Sequence, residues 1–364
     1  MEFCDLQAQR TRISERIDQA IKKVLNHGKF ILGPEVQELE LKLGEFTGAK
    51  HCITCANGTD ALQIALRALN IGKGDEVILP AFSFFATVEV VLLLDATPVF
   101  VDVCPATFNI DPNLIEAQVT KQTKAIIAVS LFGQCADFTA INRIADKYDL
   151  AVIEDAAQSF GATHAERSSC ALTTIGCTSF FPAKPLGCYG DGGAMFTNDE
   201  IVADRLRSLA RHGQSQRYVH EEAGLNSRLD TLQAAILLEK LAIYRDEIKL
   251  RNQAAERYNQ GLAASQLVLP KVMPENKSVF AQYTVQCQHR NTLKNSLLTA
   301  GIPTAIHYPR PLHLQPAVTG YNASILSVAE HLAGHVLSLP MHPYLKPEEQ
   351  ENIIETILAV DNSS

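Results

Sequence analysis

The 364-residue sequence predicts an α/β fold in which a parallel sheet is covered by helices on both faces. Two observations lead to this prediction. Short runs rich in Val and Ile, such as residues 77–80 and 125–129, have the length and composition of buried strands. Amphipathic patterns of helical period separate these runs, and alternation of this kind is typical of βαβ units.

The elements can be placed in order along the chain. The predicted helices cover residues 13–26, 36–46, a stretch beginning near residue 60, and then 86–94, 112–117, 138–148, 229–261, 292–300 and 346–358. The predicted strands cover residues 51–55, 77–80, 98–101, 125–129, 150–155, 176–181, 193–197 and 280–287. Each strand is bounded by turn residues or by a helical pattern.

A change of pattern near residue 250 divides the chain. Before it, strands and helices alternate, whereas after it a few mixed elements follow the end of one long helical stretch. We therefore predict a large domain over residues 1–250 and a smaller α+β domain over residues 251–364. A chain of this length is long enough for two cores.

Composition and charge argue against several classes of protein. The formal net charge of −8 argues against a nucleic-acid partner, because such binding depends on clustered Lys and Arg. The most apolar stretch, residues 88–103, carries Glu89, Asp95 and Asp102, so we expect no membrane helix. The start of the chain lacks the pattern of a signal peptide, which leads us to expect a cytoplasmic protein. The odd count of nine cysteines favours free thiols.

Two spacings resemble metal sites but have simpler explanations. Cys52 and Cys55 form a C-x-x-C pattern, yet residues three apart in a strand point to opposite faces, so their sulfur atoms should diverge. Metal or redox chemistry there is the less favoured alternative, since no second C-x-x-C completes a zinc site. His331 and His335 lack the glutamate of a zinc protease, and we expect them on a half-exposed helix face. We predict no metal site.

Polar and aromatic residues follow the predicted strands at the edge where open α/β sheets bind ligands. Gly58 and Thr59 precede a helix, and the free N–H groups of a helix N-terminus suit a phosphate. Alternatively, Thr59 or Asp60 only caps this helix. Three phenylalanines after residue 80 are either core residues or a surface for a planar ligand, namely Phe82, Phe84 and Phe85.

Two acids end the predicted strand at 150–155. A carboxylate is costly at the end of a buried strand unless it is paired, so Glu154 and Asp155 point to a ligand. Gln158 follows three residues after Asp155 and would share the same pocket. A capping role for Asp155 is the alternative.

A single lysine, Lys184, lies in the loop between the strands at 176–181 and 193–197. The loop is not a Walker phosphate loop, because the lysine precedes the glycines. It is not a dinucleotide fingerprint either, since strand residues rather than a helix follow. We expect three glycines to let the chain turn back beneath a ligand, namely Gly190, Gly192 and Gly193.

Together these residues match the requirements of pyridoxal phosphate. The amine of Lys184 can form a Schiff base with the aldehyde, and Asp155 can keep the pyridine nitrogen protonated. An aromatic ring can stack on the cofactor, and the turn at Gly58 can hold its phosphate. We therefore predict pyridoxal 5'-phosphate as the cofactor.

With these residues in place, the sequence resembles a known family, the sugar aminotransferases of the DegT/DnrJ/EryC1/StrS group of fold type I pyridoxal phosphate enzymes. The motifs that carry the resemblance are ILGPEVQELE, CANGTDALQIAL, VIEDAAQSFGA, TSFFPAKPLGCYGDGGA, LNSRLDTLQAAIL and IHYPRPLH. The resemblance implies an aspartate aminotransferase-like fold with a mixed, mainly parallel sheet. Within the group, the sequence is similar to enzymes that aminate C3 of UDP-2-acetamido-2-deoxy-ribo-hexuluronate, on the route to bacterial O-antigens.

The resemblance also implies roles for individual residues. Lys184 matches the Schiff-base lysine, Asp155 the partner of the pyridine nitrogen, and Gln158 a donor to the phenolic oxygen of the ring. Phe84 matches the stacking aromatic, where some relatives carry tryptophan. The implied phosphate ligands are Gly58, Thr59 and Ser179 of one subunit and Asn226 of its neighbour. The implied unit is a homodimer with shared active sites.

A transfer in two steps is implied as well. An amino donor, L-glutamate as in most of the group, first gives its amino group to the cofactor and leaves as 2-oxoglutarate. The 3-keto nucleotide sugar then takes the amino group and becomes a 3-amino sugar. Lys184 moves a proton in both steps and must be neutral to do so; the cationic cofactor and partial burial should lower its pKa.

The substrates suggest a further set of residues, because glutamate and a uronic acid both carry a carboxylate. Our hypothesis is that Arg228, His307 and Tyr308 bind this carboxylate in both steps. Alternatively, Arg228 forms a structural ion pair and His307 forms a loop hydrogen bond. Other acceptors, such as dTDP-linked or 4-keto sugars, stay open from the sequence. So does a non-catalytic sensor of the same fold, whereas Lys184 argues against a dehydratase, which would carry histidine there.

Overall fold

A seven-stranded sheet forms the centre of the computed structural model, which describes residues 1–321 and 325–361. Its strands, in spatial order, are β1 His51–Cys55, β9 Gly193–Thr197, β8 Ile175–Ser179, β5 Ala151–Asp155, β4 Thr123–Val129, β2 Glu76–Pro80 and β3 Thr97–Val101. Strand β9 is antiparallel to both of its neighbours, whereas the remaining pairs are parallel. The predicted α/β class with a mixed, mainly parallel sheet is confirmed.

Shorter strands lie outside this sheet. They are β6 Thr163–His164, β7 Arg167–Ser168, β10 Gln214–Gln216, β11 Val219–His220, β12 Asn276–Lys277, β13 Tyr283–Gln286 and β14 Val336–Leu339. Strands β6, β7 and β12 form one small sheet, β10 pairs with β11, and β13 pairs with β14. The β13–β14 pair supports the segment that carries His307, because Ala305 bridges to Ser338 of β14.

The helices pack around the central sheet and extend to the C-terminal part of the chain. They are α1 Leu6–Arg12, α2 Ser14–His27, α3 Pro34–Thr47, α4 Gly58–Ala68, α5 Ala86–Leu92, α6 Pro112–Ile115, α7 Phe138–Tyr148, α8 Glu200–Leu209, α9 Thr231–Gly261, α10 Arg290–Thr299, α11 Ser327–His335 and α12 Pro347–Asp361. No helix in the described part of the chain combines the length and apolar character needed to cross a membrane.

Local signals explain where several helices begin and end. Asn57 caps α4, since its side chain accepts a hydrogen bond from the backbone N–H of Asp60. Gly28 and Gly48 end α2 and α3 in the left-handed conformation that glycine adopts without strain. Helices α1 and α8 were not predicted, although N-cap acids at Asp5 and Asp199 mark both.

The two faces of the sheet bury separate apolar clusters. Cys52 packs on the face covered by α3 and α9, whereas Cys55 packs on the face covered by α4. Both thiols are free and buried. The predicted divergence of the two sulfur atoms is therefore confirmed.

The C-terminal part of the chain has an apolar core of its own. It is built mainly from Ala254, Tyr258, Tyr283, Val285, Leu293, Leu297, Leu337, Leu339, Ile353 and Ile357. However, Leu312, Val318 and Leu332 pack into a cluster of the central sheet. Helix α9 also runs through residue 250. The division into domains 1–250 and 251–364 stays a prediction.

Candidate active site

Several of the predicted site residues lie at or next to the carboxyl edge of the sheet. Asp155 is the last residue of β5, and Ser179 is the last residue of β8, the next strand in the sheet. The loop that carries Lys184 continues from β8. Lys184 and Asp155 are close enough for each charge to act on the pKa of the other.

Asp155 is a buried carboxylate that two donors and one cation support. Its Oδ2 accepts a hydrogen bond from Thr87 Oγ1 at 3.0 Å, and its Oδ1 accepts one from the backbone N–H of Ala157 at 3.2 Å. Burial raises its pKa, and the Ala157 N–H, the charge of Lys184 and the Thr87 hydroxyl act against that rise. The carboxylate can thus serve a cationic group in this pocket.

Glu154 belongs to a different environment from Asp155. Its carboxylate accepts hydrogen bonds from Ser130 Oγ at 2.8 Å and from Ser169 Oγ at 2.7 Å. The backbone N–H of Cys170 adds a third at 2.7 Å. Adjacent residues of a strand point to opposite faces, so Glu154 is fully paired away from the site. Of the two acids that end β5, Asp155 is therefore the one that stays a candidate for a ligand.

Burial lowers the pKa of Lys184, and the nearby carboxylate of Asp155 acts against this shift. The backbone of Lys184 lies in a turn, since its N–H donates to Phe181 O at 2.8 Å. A lysine amine in these surroundings releases its proton more easily than an exposed one. It is therefore suited to act as a nucleophile and as a base.

The N-terminus of α4 lies directly against the end of β8. The helix begins at Gly58, with Thr59 as its second residue, and its N-cap is Asn57. The alternative that Thr59 or Asp60 caps this helix is therefore wrong. A Cβ atom on Gly58 would lie only 2.7 Å from the Cβ of Ser179. Free backbone N–H groups and the Ser179 hydroxyl thus meet at one point, as an anion site requires.

The glycines of the Lys184 loop are needed for close packing rather than for a left-handed turn. Gly190, Gly192 and Gly193 all lie outside the positive-φ region. A Cβ on Gly193 would lie 2.5 Å from the carbonyl of Asn57, directly before α4. A Cβ on Gly192 would lie 2.8 Å from Leu229 Cδ1. Gly193 thus brings the returning chain against the N-terminus of α4, whereas Gly190 and Gly192 pack against Gln233 and Leu229.

Phe84, Gln158 and Tyr308 lie together in the structure. The ring of Phe84 is 55% exposed, and its centroid lies 6.0 Å from that of Tyr308. Gln158 Nε2 donates to the Tyr308 hydroxyl at 3.1 Å, while its Oε1 accepts from the backbone N–H of Phe132 at 2.8 Å. Phe82, in contrast, is buried in the core. Of these phenylalanines, Phe84 offers an open ring face.

His307 lies near Lys184 and is held in a neutral state. Burial, together with the smaller effect of the charge of Lys184, lowers its pKa to about 4. Its Nδ1 is 2.9 Å from Ser338 Oγ, which is the loop hydrogen bond of the alternative interpretation. In the tautomer that accepts this serine proton at Nδ1, Nε2 carries a hydrogen and can donate to a ligand.

Asn226 and Arg228 lie on a segment tied to the end of β1. The hydroxyl of Ser227 accepts a hydrogen bond from the backbone N–H of Ala56 at 3.0 Å. Asn226 is exposed and Arg228 is partly buried. Within residues 1–321 and 325–361, the Arg228 side chain has no hydrogen bond or ion pair, so these residues supply no partner for a structural ion pair.

One partner of Asp155 was missed in the sequence. Thr87 is the second residue of α5, and Ser83 Oγ lies 3.0 Å from its hydroxyl. The signal was present, because both residues lie in the AFSFFAT motif after β2.

Comparisons with known proteins agree over nearly the whole chain. The model of the DegT/DnrJ/EryC1/StrS aminotransferase family matches residues 11–358. The UDP-2-acetamido-2-deoxy-3-oxo-D-glucuronate aminotransferase of Pseudomonas aeruginosa is 58% identical over 345 residues, which cover 95% of this chain and 96% of the relative.

Solved structures give the same result. A DegT/DnrJ/EryC1/StrS aminotransferase from Brucella abortus superposes with a TM-score of 0.95 at 48% identity, covering 99% of both chains. NtdA from Bacillus subtilis, solved with bound PMP cofactor, superposes with a TM-score of 0.90 at 34% identity, covering 96% of this chain and 82% of NtdA. PMP is the amino form of pyridoxal phosphate. This protein is a pyridoxal phosphate-dependent transaminase, and the chain belongs to the DegT/DnrJ/EryC1/StrS aminotransferase family.

Proposed function

We propose that this protein transfers an amino group from L-glutamate to C3 of a UDP-linked 3-keto-2-acetamido hexuronic acid. The observation that carries the proposal is the 58% identity, over nearly the full length of both chains, to a P. aeruginosa aminotransferase named for such a substrate. The proposal also places the reaction in the cytoplasm and its product in bacterial O-antigen and lipopolysaccharide synthesis. The site residues support it as follows.

The residues present fit pyridoxal phosphate. The N-terminus of α4 and Ser179 meet so closely that a side chain on Gly58 would fill the space between them, which suits a phosphate. Asp155 offers a buried carboxylate for the ring nitrogen, and Phe84 offers an exposed ring for stacking. Lys184 supplies the amine.

When bound, pyridoxal phosphate supplies an aldehyde that bonds to amines and a ring that accepts electrons from the substrate carbon. Asp155 would hold the proton of the ring nitrogen through its carboxylate. Lys184 Nζ would take the proton from Cα of glutamate and pass it to the cofactor carbon that carried the aldehyde; in the second step it would move that proton to C3 of the sugar. The lowered pKa of Lys184 favours the neutral amine that this transfer requires.

The carboxylate of either substrate has a set of donors near the amine. Arg228 has no partner of its own in the described chain, and a guanidinium binds a carboxylate through two parallel hydrogen bonds. His307 Nε2 and the Tyr308 hydroxyl would add neutral donors. We propose that this one carboxylate site serves glutamate and the uronic acid in turn.

A homodimer with shared active sites completes the proposal. Four apolar side chains are about half exposed: Phe30, Ile31, Phe84 and Phe181. Phe30 and Ile31 contact residues 230–231, next to the segment that holds Asn226. A second copy that covers these side chains would bring its Asn226 to the phosphate of the first.

The proposal can be tested by a panel of acceptors. The cofactor-loaded enzyme is incubated with L-glutamate and UDP- or dTDP-linked keto-sugars that carry at C6 either a carboxylate or a methyl group. The keto-uronate is supplied by a coupled oxidation, and the amino sugar is identified by mass spectrometry and NMR. We expect a 3-amino product, with a kcat/KM for the carboxylate sugar about tenfold or more above that for the methyl sugar.

The Lys184→Ala variant is the control, because it lacks the amine that moves the proton. It should bind the sugar but form no product. Preference for a methyl sugar, or amination at C4, would contradict the proposed substrate. Product formation by Lys184→Ala at the wild-type rate would contradict the proposed site.

A further inference from the structure

Helix α9 contains a buried lysine that the transfer reaction does not use. Lys240 is 1% exposed, and its Nζ donates a hydrogen bond to the backbone oxygen of Gly187 at 2.7 Å. The same ammonium lies 4.1 Å from the centroid of the Tyr189 ring. Gly187 and Tyr189 both belong to the loop that carries Lys184.

Gly187 supports the part of the loop that precedes Lys184. A Cβ atom on Gly187 would lie 2.4 Å from Pro182 O and 2.6 Å from Phe181 O, so the two backbone segments are in direct contact. Lys184 in turn donates its N–H to Phe181 O at 2.8 Å. A shift of Gly187 would therefore be transmitted to the backbone of Lys184.

A second residue of α9 holds the same loop. Gln233 Oε1 accepts from the backbone N–H of Tyr189 at 2.8 Å, and Gln233 Nε2 donates to Tyr189 O at 3.4 Å. Gln233 and Lys240 are seven residues apart, which places them on one face of the helix about two turns apart. Together they fix two points of the returning chain.

Burial of the Lys240 charge costs folding free energy that a residue used only for packing would not need to lose. Burial lowers its pKa to about 8, while Glu247 on the same helix, Cys188 on the loop and Cys4 in the N-terminal segment act against that shift. A buried ion can often be replaced by an apolar side chain of similar size without loss of stability. The directed hydrogen bond to Gly187 is what such a replacement would remove.

We propose that Lys240 is a positioning residue for Lys184: its bond to the Gly187 carbonyl sets the place from which the Lys184 amine reaches the cofactor aldehyde. This inference rests on the proposed role of Lys184. Lys240 itself touches neither substrate nor cofactor in this proposal. It acts through the backbone of the loop.

The test measures the reactivity of Lys184 without substrate turnover. Apo protein receives a short pulse of pyridoxal phosphate, so that the Lys184 amine adds to the aldehyde and water leaves. Borohydride then reduces the new C=N bond to a stable secondary amine. Peptide mass spectrometry gives the label on Lys184 relative to surface lysines of the same sample, and melting temperatures are measured in parallel.

The variants are Lys240→Met, which removes the donor, and Lys240→Gln, which keeps an N–H donor without the charge. Lys249→Met is the matched control, since Lys249 is an exposed lysine of the same helix. We expect labelling of Lys184 in Lys240→Met to fall by about tenfold or more, because small misplacements of a reacting group are costly. Its melting temperature should be unchanged or higher. Lys240→Gln should retain part of the wild-type labelling rate, and Lys249→Met should label Lys184 at the full wild-type rate.

The outcomes separate this inference from the proposed function. If the wild-type label falls on another lysine, the proposed role of Lys184 fails, and the inference fails with it. If wild-type labels Lys184 but Lys240→Met labels it equally fast, only the positioning role is overturned. Should Lys240→Met not fold, Lys240→Leu decides, because it also lacks the donor: slower labelling at a retained melting temperature supports the role, and a wild-type rate overturns it.

Discussion

Lys184 and Asp155 form a coupled pair at the centre of the site. Burial displaces the pKa of each towards its neutral form, and the charge of each limits the displacement of the other. A cation placed beside the pair would favour the carboxylate form of Asp155 and the neutral amine of Lys184. The ring nitrogen of the cofactor would be such a charge.

Arg228 has no hydrogen-bond or ion-pair partner within the described residues, and we propose that a substrate carboxylate is its partner. We expect Arg228→Lys to lower kcat/KM about tenfold to a hundredfold in both half-reactions, because lysine cannot make two parallel bonds to a carboxylate. Each half-reaction is followed separately in single turnover, with L-glutamate and with the UDP-linked keto-uronate.

A keto-sugar with a methyl group at C6 is the internal control, since its reaction should be equally slow in wild type and variant. Loss with glutamate alone would assign Arg228 to the donor only. Unchanged rates with both substrates would remove Arg228 from the site.

At the scale of elements, the start of β9 and the N-terminus of α4 are packed as one unit. A Cβ on Gly193 would lie 2.5 Å from Asn57 C and O and 3.0 Å from Gly58 N. These neighbours are backbone atoms, which cannot rotate away as a side chain does. The geometry of the proposed phosphate site thus depends on the absence of one methyl group.

We expect Gly193→Ala to weaken cofactor binding by about 1–3 kcal/mol, as overpacking of a close contact typically does. The dissociation constant of pyridoxal phosphate, measured by absorbance titration, checks this. Gly334→Ala is the matched control, because a Cβ there meets nothing within 4 Å. Wild-type affinity in Gly193→Ala would show that α4 can shift without harm.

The elements show what the sequence could and could not predict. Strand β5 and helix α7 were found because buried strands and amphipathic helices have distinct periods. Helix α1 was missed because its seven residues are mostly polar and leave little periodic pattern. Strand alternation places Glu154 and Asp155 on opposite faces, but which of the two faces the site depends on the partners that Ser130, Ser169 and Thr87 supply from distant segments.

On the scale of the whole molecule, the proposed dimer gives a prediction that no single site can explain. Lys184→Ala and Asn226→Asp are each expected to be nearly inactive, the second because its carboxylate would repel the phosphate. In a heterodimer of the two, one shared site would contain intact Lys184 and Asn226, so we expect about half of the wild-type activity. Co-expression with two affinity tags allows this heterodimer to be purified and assayed.

A heterodimer of Lys184→Ala with the Lys184→Ala/Asn226→Asp double variant is the control, and it should stay inactive. Failure of the first pair to regain activity would place Asn226 and Lys184 of the same subunit in one site. The homodimer would then hold two independent sites.

Helix α9 also couples the stability of the two parts of the chain. Its 31 residues form about 46 Å of continuous helix. The first part carries Gln233 and Lys240, which bind the Lys184 loop, and the last part packs in the C-terminal core. A fragment starting at residue 251 would inherit a broken helix, and its Leu312 and Leu332 would lose the sheet cluster that buries them. Neither half can melt without exposing the apolar surface of the other, so heat should destroy both in one cooperative transition.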